Sequence, residues 1–573
     1  MGTKRGGVQM SLHVIDFEVF KQDWLCVIVN PIEKSETVII NDVEKLKKFY
    51  EKHSDDIFIG YNIRSYDQYI FKAILLDMNP KEVNDFIIVE GNKGWQYSSI
   101  FNRIPLNIFD IMTTFHSLKQ LEAFMGVNIH ESSVDFTLDR KLTAKELAET
   151  VEYCKADVYN TLRIFIERKE EFDGYMSLLK MFNLPMSYLG KTKAQLTASI
   201  LGAVKTKRDD EWELEFVEPL QLNKYKYIQE WYTKPENQNY ESKLETTVAG
   251  IPHLFGVGGL HGAIENYIDE GLFLNVDVAS YYPSLMIEYD FGSRNADFKK
   301  FKDIYDLRLK LKREGKKKEQ YPLKIILNAT FGASGDKYNP LYDPRQKNCV
   351  CINGQLLLLD LIEKLEHKCK LVQANTDGIL IKITQDNMDE IKSICEEWSK
   401  RTKMVLEYEE FVKVIQRDVN SYIIVKEDGS YKSKGLVVKE QSKLDNDLPI
   451  VNRAVTDYLV KKIQPEDTII PCDDMIQFQQ VFKVSGKYQY AMHGEEKLNG
   501  RCFRVFASRS LSDGGIFKKK NEEKNKEKFA NSPERVFIEN GDITNMKVPR
   551  KLDKKWYVDL AYKRIKQFVG DKQ

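Results

Sequence analysis

Apolar and polar positions alternate with a period of two in several short runs and follow a helical period in longer ones. Near the N-terminus, LHVIDFEVF and DIFIGYN read as strands, and Ala144 to Lys169 reads as a helix. The stretch from Met10 to about Leu189 therefore predicts an α/β domain. After Met186 a helical connector is expected, then the glycine-rich GVGGLHG and the strand LFLNVDVA, in which Leu272, Leu274 and Val276 alternate. Two basic helices, Phe301 to Glu314 and Tyr321 to Ala333, are joined by EGKKKEQ and predict an antiparallel hairpin, with Pro322 suiting a helix start. The apolar strands KLVQA and GILIKI flank the tight turn Asn375-Thr376-Asp377-Gly378. Beyond about Lys432 the pattern is mixed and reads as a C-terminal region that grips nucleic acid. No internal repeat is visible.

Composition narrows the class. A length of 573 residues suggests about three to five domain-sized units. Hydrophobic residues at 42% and charged residues at 30% are an ordinary globular balance. No stretch is long and apolar enough to span a bilayer, and MGTKRGGVQ lacks a signal-peptide core, so a cytoplasmic enzyme is expected. Eight cysteines are scattered. The close pair Cys349 and Cys351 has the wrong spacing for a zinc site, and the set reads as buried thiols. Lys and Arg together number 86, as do Asp and Glu, which argues against a simple nucleic-acid-coating protein. The charge is uneven, however. Basic residues crowd Lys299 to Lys318 and Lys518 to Lys528, and such charge along one groove still attracts a polyanion. The run KKKNEEKNKEK reads as a solvated loop, and KVSGKYQYAMH as an aromatic-basic stretch that packs against DNA.

Carboxylates form two groups along the chain. In VIDFEVF the strand period places Asp16 and Glu18 on one face. Two carboxylates so placed repel unless a cation lies between them, and a divalent metal is the usual answer. A lone Asp-x-Glu is more often a solvated strand edge. GYNIRSYDQY adds Asn62, Tyr66 and Asp67, and EYCKADV sets Tyr153 and Asp157 four apart on one helical face. For that pair alone, a surface hydrogen bond is the simpler reading. The four carboxylates together are what two metal ions about 4 Å apart would need to activate a water and stabilise a leaving 3′-oxygen.

The second group begins at Asp277, at the end of a buried strand and before VASYYPSLM, where free turn amides beside an acid suit a metal-bound triphosphate. A helix N-cap is the plain alternative. Asp377 lies in the turn Asn375 to Gly378, which by itself is more often only a turn. Between them, Lys324, Asn328 and Phe331 fall on one helical face, a cation for phosphate and an aromatic surface for a base. Core packing beside a solvated lysine explains the same spacing.

The motifs at Asp16 to Glu18, Asn62 to Asp67 and Tyr153 to Asp157 resemble the three motifs of DnaQ-like proofreading exonucleases fused to family B DNA polymerases. Asp277-x-x-Ser-Tyr-Tyr-Pro-Ser, Lys324-x-x-x-Asn-x-x-Phe-Gly and Thr-Asp377-Gly are similar to motifs A, B and C of those polymerases. The size is similar to that of the compact phage branch, which includes protein-primed enzymes. The resemblance implies a multidomain α/β and α+β chain: an RNase H-like 3′-5′ exonuclease over residues 1–190 followed by a right-hand polymerase. The linker and first palm segment would occupy 191–300, the fingers 301–333, the second palm segment 334–430, and the thumb 431–573.

It further implies that Asp16, Glu18, Asp67 and Asp157 hold metals for editing, that Tyr153 orients the attacking water, and that Asn62 and Tyr66 hold the frayed strand. Ser117 to Leu121 is similar to the single-strand-binding motif of that family. Asp277 and Asp377 would bind two Mg2+ or Mn2+ ions for synthesis, with two ions at the editing site as well. Lys324, Asn328, Ser280, Tyr281 and Arg308 would meet the nucleotide, and Tyr282 would block a ribose 2′-hydroxyl. Gly258 and Gly259 match the glycine pair of the linker motif, and Tyr422 matches the primer-gripping motif. The partners implied are primer-template DNA and deoxynucleoside triphosphates, with accessory replication proteins or a terminal protein as further candidates, and a monomer in the host cytoplasm if the chain is viral. The chain departs from the family at Asn375, where an aspartate is usual, at Gly256 in place of tyrosine, and at Asn420, which replaces the lysine of the primer motif. The alternative is an exonuclease or DNA-binding protein with a weakened synthetic site.

Overall fold

A computed structural model describes residues 3–5, 8–112, 116–520 and 525–570. The chain is a mixed α/β, multidomain protein that divides into two compact units, and the division does not follow chain order. One unit comprises Met1–Lys191, Gln441–Pro449 and Cys472–Tyr557; the other comprises Thr192–Glu440, Ile450–Pro471 and Val558–Gln573.

The first unit is built on a five-stranded sheet of β1 (Leu12–Val19), β2 (Trp24–Asn30), β3 (Ser35–Ile40), β4 (Ile57–Gly60) and β5 (Asn107–Asp110), in the order β3-β2-β1-β4-β5. β1 pairs antiparallel with β2 and parallel with β4, as the intervening helix α1 (Val43–His53) requires. Alternation along β1 sends Ile15, Phe17 and Val19 into a core with Phe58, Ile70 and Phe71, the last two from α2 (Asp67–Leu75). Asp16 and Glu18 face the other way. Across that face lies α4 (Ala144–Glu167), whose start is fixed by a capping box between Thr143 and Glu146. The short α3 (Leu118–Met125) precedes it.

The second unit carries nine antiparallel strands. They are β6 (Leu244–Val248), β7 (Ile251–Phe255), β8 (His261–Ala263), β9 (Tyr267–Val278), β10 (Lys370–Ala374), β11 (Gly378–Ile383), β12 (Leu406–Asp418), β13 (Ser421–Val425) and β14 (Tyr431–Lys434), ordered β14-β13-β12-β9-β11-β10-β8-β7-β6. Thus β9, which ends in the Asp277 motif, lies between β11 and β12 at the middle of the sheet. After β9 come α5 (Tyr281–Glu288), α6 (Phe298–Arg313), α7 (Lys317–Ser334) and α8 (Pro344–Leu365), and α9 (Met388–Thr402) follows β11.

The hairpin of α6 and α7 exists, but α7 begins at Lys317, so Pro322 lies inside it rather than at its start. The proline removes only one amide donor near an exposed end, while Leu323, Ile326 and Leu327 behind it are buried and hold the helix together. α8 is buried along most of its length, Cys349 and Cys351 included. Trp398 of α9 is fully buried, and its indole N–H donates to the Leu357 carbonyl of α8 at 3.0 Å.

Residues 472–557 return to the first unit. Here β15 (Gln480–Lys483), β16 (Cys502–Ala507) and β17 (Val536–Ile538) form an antiparallel sheet. Two readings of this region change. Tyr488, expected against DNA, is buried with Val484, Phe503 and Val505, and the Lys518 ammonium lies 4.6 Å from its ring centre. The flanks of KKKNEEKNKEK are paired strands, not a solvated loop, because Lys518 and Glu527 stand opposite each other and form an ion pair at 2.7 Å. Residues 521–524 of that run lie outside the described residues.

Among the described residues, no helix is long and apolar enough to cross a membrane. Because α8 is the buried axis of the second unit, Leu357→Ala should cost about 2–5 kcal/mol. Denaturant unfolding checks this, and a cost under about 1 kcal/mol would contradict the packing.

Candidate functional site

Each unit gathers one of the two carboxylate groups. In the first, the carboxylate oxygens of Asp16 and Glu18 on β1 and the Cys154 sulfur on α4 all lie within 4.8 Å of one another. Cys154 Sγ sits 3.5 Å from the Asp16 carbonyl oxygen, so helix and strand touch at this point. One turn along α4, Asp157 reaches the same place, and Asp67 comes from the start of α2. Asp16 and Glu18 are held well above the usual carboxylate range, first by burial and then by neighbouring carboxylates. Asp67 is pushed up to about 7, chiefly by burial. Tyr153 hydrogen-bonds Asp157 and lies in the field of Asp16 and Glu18, and Tyr66 lies in the field of Asp67. All six residues therefore belong to one site. The Tyr66 hydroxyl donates to Asn84 Oδ1 at 2.7 Å. Asn62 takes a left-handed backbone, φ 65°, and its N–H donates to Asp110 Oδ1 at 3.0 Å.

Asp110 and Lys119 were not picked out by sequence reasoning. Asp110 ends β5, is buried, and accepts the backbone N–H groups of Asn62, Arg64 and Met112, which fixes the loop between β4 and α2. Lys119 lies within the segment Ser117 to Leu121, but nothing in its spacing marks it. Its ammonium donates to Asp157, pairs with Glu122 at 3.3 Å and lies 4.6 Å from the Tyr153 ring centre. It supplies a single positive charge among several acids.

These residues fit a divalent cation. Asp67 Oδ1 is buried without a hydrogen-bond partner among the described residues. Burial pushes the Cys154 thiol well up, so it stays protonated and the donors are hard carboxylate oxygens. A second cluster, His13, His53 and Asp56, also converges, with Asp56 Oδ2 at 3.0 and 2.8 Å from the two rings. There His13 Nδ1 is buried without a partner among the described residues, so none of them gives the outer hydrogen bond that orients a ligating histidine. Hydrogen-bonded packing accounts for this cluster.

In the second unit, Asp277 of β9 stands opposite Gly378 of β11, one residue from Asp377. The Val278 N–H donates to the Asp377 carbonyl at 2.7 Å, and the Asn375 N–H closes the turn on the Gly378 carbonyl at 2.8 Å. Two acids a hundred positions apart thereby become neighbours. Asn275 donates to Asp277 Oδ2 at 2.6 Å. Burial, and then the charge of Asp377, push Asp277 up to about 6. Gly378 is required by this approach, since a Cβ there would come 2.0 Å from Asp277 Oδ1. Gly259 is crowded in the same way, 2.3 Å from Thr376 Oγ1, and the Gly258 carbonyl accepts from Gln355 at 2.9 Å.

Around this pair, Ser280 adopts φ 51° and its hydroxyl accepts from Arg308 Nη1 at 2.8 Å. The Tyr282 ring packs on Phe331 with centres 4.2 Å apart. Lys324 and Asn328 are exposed on α7. Tyr281 is buried, with its hydroxyl on the Gly354 carbonyl at 2.7 Å, so its side chain is committed to the core. Tyr422 feels both Asp277 and Asp377. Lys432 on β14 is the residue here that sequence reasoning missed. It pairs with Glu409 and lowers the pKa of Asp277.

No protein-family model matches the chain. Over 303 residues, 44% of this chain and 33% of the relative, it is 22% identical to a DNA polymerase 1 of Saccharolobus solfataricus. The match thus spans about a third of that relative's length. The structure of a family B DNA polymerase from Pyrobaculum calidifontis aligns with a TM-score of 0.45 and 12% identity, covering 100% of this chain and 79% of that one.

A pKa raised from 3.8 to about 6 means that the folded chain binds the Asp277 proton more tightly than the unfolded chain does. That stabilisation is present at low pH and is lost as pH rises through about 4 to 6, a change of about 1–3 kcal/mol. Asp277→Asn should therefore raise the melting temperature at pH 8 in EDTA but not at pH 4. Equal shifts at both pH values would contradict the placement.

Proposed function

We propose that the chain is a DNA-directed DNA polymerase with its own 3′-5′ exonuclease, acting on primer-template DNA and deoxynucleoside triphosphates. The observation that carries this reading is the joining of Asp277 and Asp377 at the centre of a nine-stranded antiparallel sheet. The similarity to a DNA polymerase 1 supports it.

In this reading Asp277 and Asp377 hold divalent ions, Mg2+ or Mn2+. Such ions, when bound, ease loss of the primer 3′-hydroxyl proton and neutralise the departing pyrophosphate. The chain itself positions the reactants. Lys324 and Arg308 offer cations to the triphosphate, and Arg308 is already oriented by Ser280. Tyr282, supported by Phe331, forms the wall beside the sugar and excludes a 2′-hydroxyl. Asn328 faces solvent on the same helix as Lys324. With Asn375 neutral, Asp277 and Asp377 are the acids of the turn and strand, and Lys432 offsets part of their repulsion.

Editing is assigned to Asp16, Glu18, Asp67 and Asp157, which would hold ions for hydrolysis of a mispaired 3′ end. Tyr153 orients the water through the shared field of these acids, and Asn62 and Tyr66 flank the strand. The nine-stranded sheet serves as the palm and the α6–α7 hairpin as the fingers.

Primer extension with Mg2+ and four deoxynucleotides, beside degradation without nucleotides, tests both halves. Asp377→Ala should lose extension by on the order of 10³-fold or more while still degrading single strands, and Asp16→Ala should do the reverse. If Asp377→Ala extends as the wild type does, the chain is an exonuclease or DNA-binding protein instead. Tyr282→Ala should raise ribonucleotide incorporation at least about tenfold, since the loss of one packing wall is worth about 1–3 kcal/mol of discrimination; unchanged sugar selectivity would remove it from that role.

A further inference from the structure

Arg504 on β16 is fully buried, yet among the described residues it has no hydrogen-bonded carboxylate partner. Burial pushes its guanidinium down to about 10. Its donors go to backbone carbonyls on two sides. On one side Nη1 donates to the Glu539 and Gly541 carbonyls at 3.2 and 2.7 Å. On the other, Nε and Nη2 donate to Ala123 at 3.3 and 3.1 Å, and Nη2 also reaches Glu122 at 3.4 Å and Val127 at 2.7 Å. The Glu122 and Ala123 carbonyls belong to the last turn of α3, where they also accept the cap N–H groups of Val127 and Gly126 at 3.2 and 3.0 Å, and where a cation complements the helix dipole. The next one, Phe124, is taken by Gln479 Nε2 at 3.0 Å. Besides its own cap, the C-terminal end of α3 is therefore held by side chains of Arg504 and Gln479 from the returning segment 472–557, with Asn446 also on the Phe124 carbonyl at 3.3 Å.

At the other end of α3 sits Lys119, on Asp157 and Glu122. Glu122 in turn accepts from Asn160 of α4 at 3.0 Å. A helix of eight residues has little stability of its own, so its tertiary anchors decide where it lies. A fork of five donors fixes both translation and rotation, which a lysine at the same place cannot do.

We infer that Arg504 is a positioning residue for the editing site: it sets the helix that holds Lys119 against Asp157, and so makes editing depend on a β-strand more than three hundred positions away. This rests on the editing role proposed above. A residue that only supports folding would lower the amount of active protein. One that places Lys119 changes the turnover of protein that is folded, and its effect disappears once Lys119 is gone.

The test is hydrolysis of a single-stranded oligodeoxynucleotide by the full chain, with melting curves to confirm folding. Lys119→Met and Arg504→Lys are each expected to lose at least about tenfold in kcat with KM within twofold, and the double variant should be within twofold of Lys119→Met. Primer extension by Arg504→Lys should stay within twofold of wild type. If Arg504→Lys does not fold, Gln479→Leu provides the same readout, a loss of several-fold that vanishes in the Lys119→Met background. Wild-type turnover in the folded variant, or a double variant in which the two losses multiply, overturns the inference. Asp16→Ala separates the two levels. If it still hydrolyses normally, the editing assignment falls; if it is inactive while Arg504→Lys is normal, only the positioning role falls.

Discussion

Carboxylates crowded beside one another repel, and both sites of this chain are organised around that repulsion. At Asp16 and Glu18, burial and the charges of neighbouring carboxylates act in the same direction and hold the protons far more tightly than water would, while burial raises Asp67 and, against the pull of Lys119, Asp157. At Asp277 the effect is smaller and has the same origin. A fold keeps such groups together only if rigid elements leave them no escape. Here Asp16, Glu18 and Asp277 sit on strands, Asp67 and Asp157 on helices, and Asp377 in a tight turn pinned at both ends by the strands it joins.

The two sites meet the constraint differently. In the first unit a lysine is built in. Lys119 lies on Asp157 with Glu122 behind it, and the acids nearest the strand, Asp16 and Glu18, are left without a cation of their own. In the second unit neutral and remote groups do the work. Asn275 donates to Asp277, Asn375 brings no third charge, and Lys432 acts from three strands away while paired with Glu409. The Asn375 departure thus belongs to a site with weaker built-in compensation, where a third acid would be harder to hold.

Much of this arrangement is legible in the sequence because it depends on short-range periodicity. The period of two in VIDFEVF places Asp16 and Glu18 on one face, and the four-residue step from Tyr153 to Asp157 places both toward that face. The turn Asn375 to Gly378 is legible too, since its glycine is demanded by the approach of Asp277. What could not be read depends on long-range register. Lys119 looks like any surface lysine until α3 is laid against α4. Lys432 depends on the order of nine strands. Arg504 and Tyr488 fall in a stretch of mixed pattern, and only the return of residues 472–557 to the first unit shows one as an anchor and the other as core. Pro322 misleads for a different reason, because local preference is overridden by the buried side chains that follow it.

The central claim is that each group of acids is a site for divalent cations. It is tested most directly by diffraction from crystals grown with Mn2+, primer-template DNA and a non-hydrolysable deoxynucleotide. The account predicts anomalous peaks at coordination distance from both Asp277 and Asp377, and separate peaks among Asp16, Glu18, Asp67 and Asp157. Crystals with ordered DNA but no peak touching both Asp277 and Asp377 would contradict it.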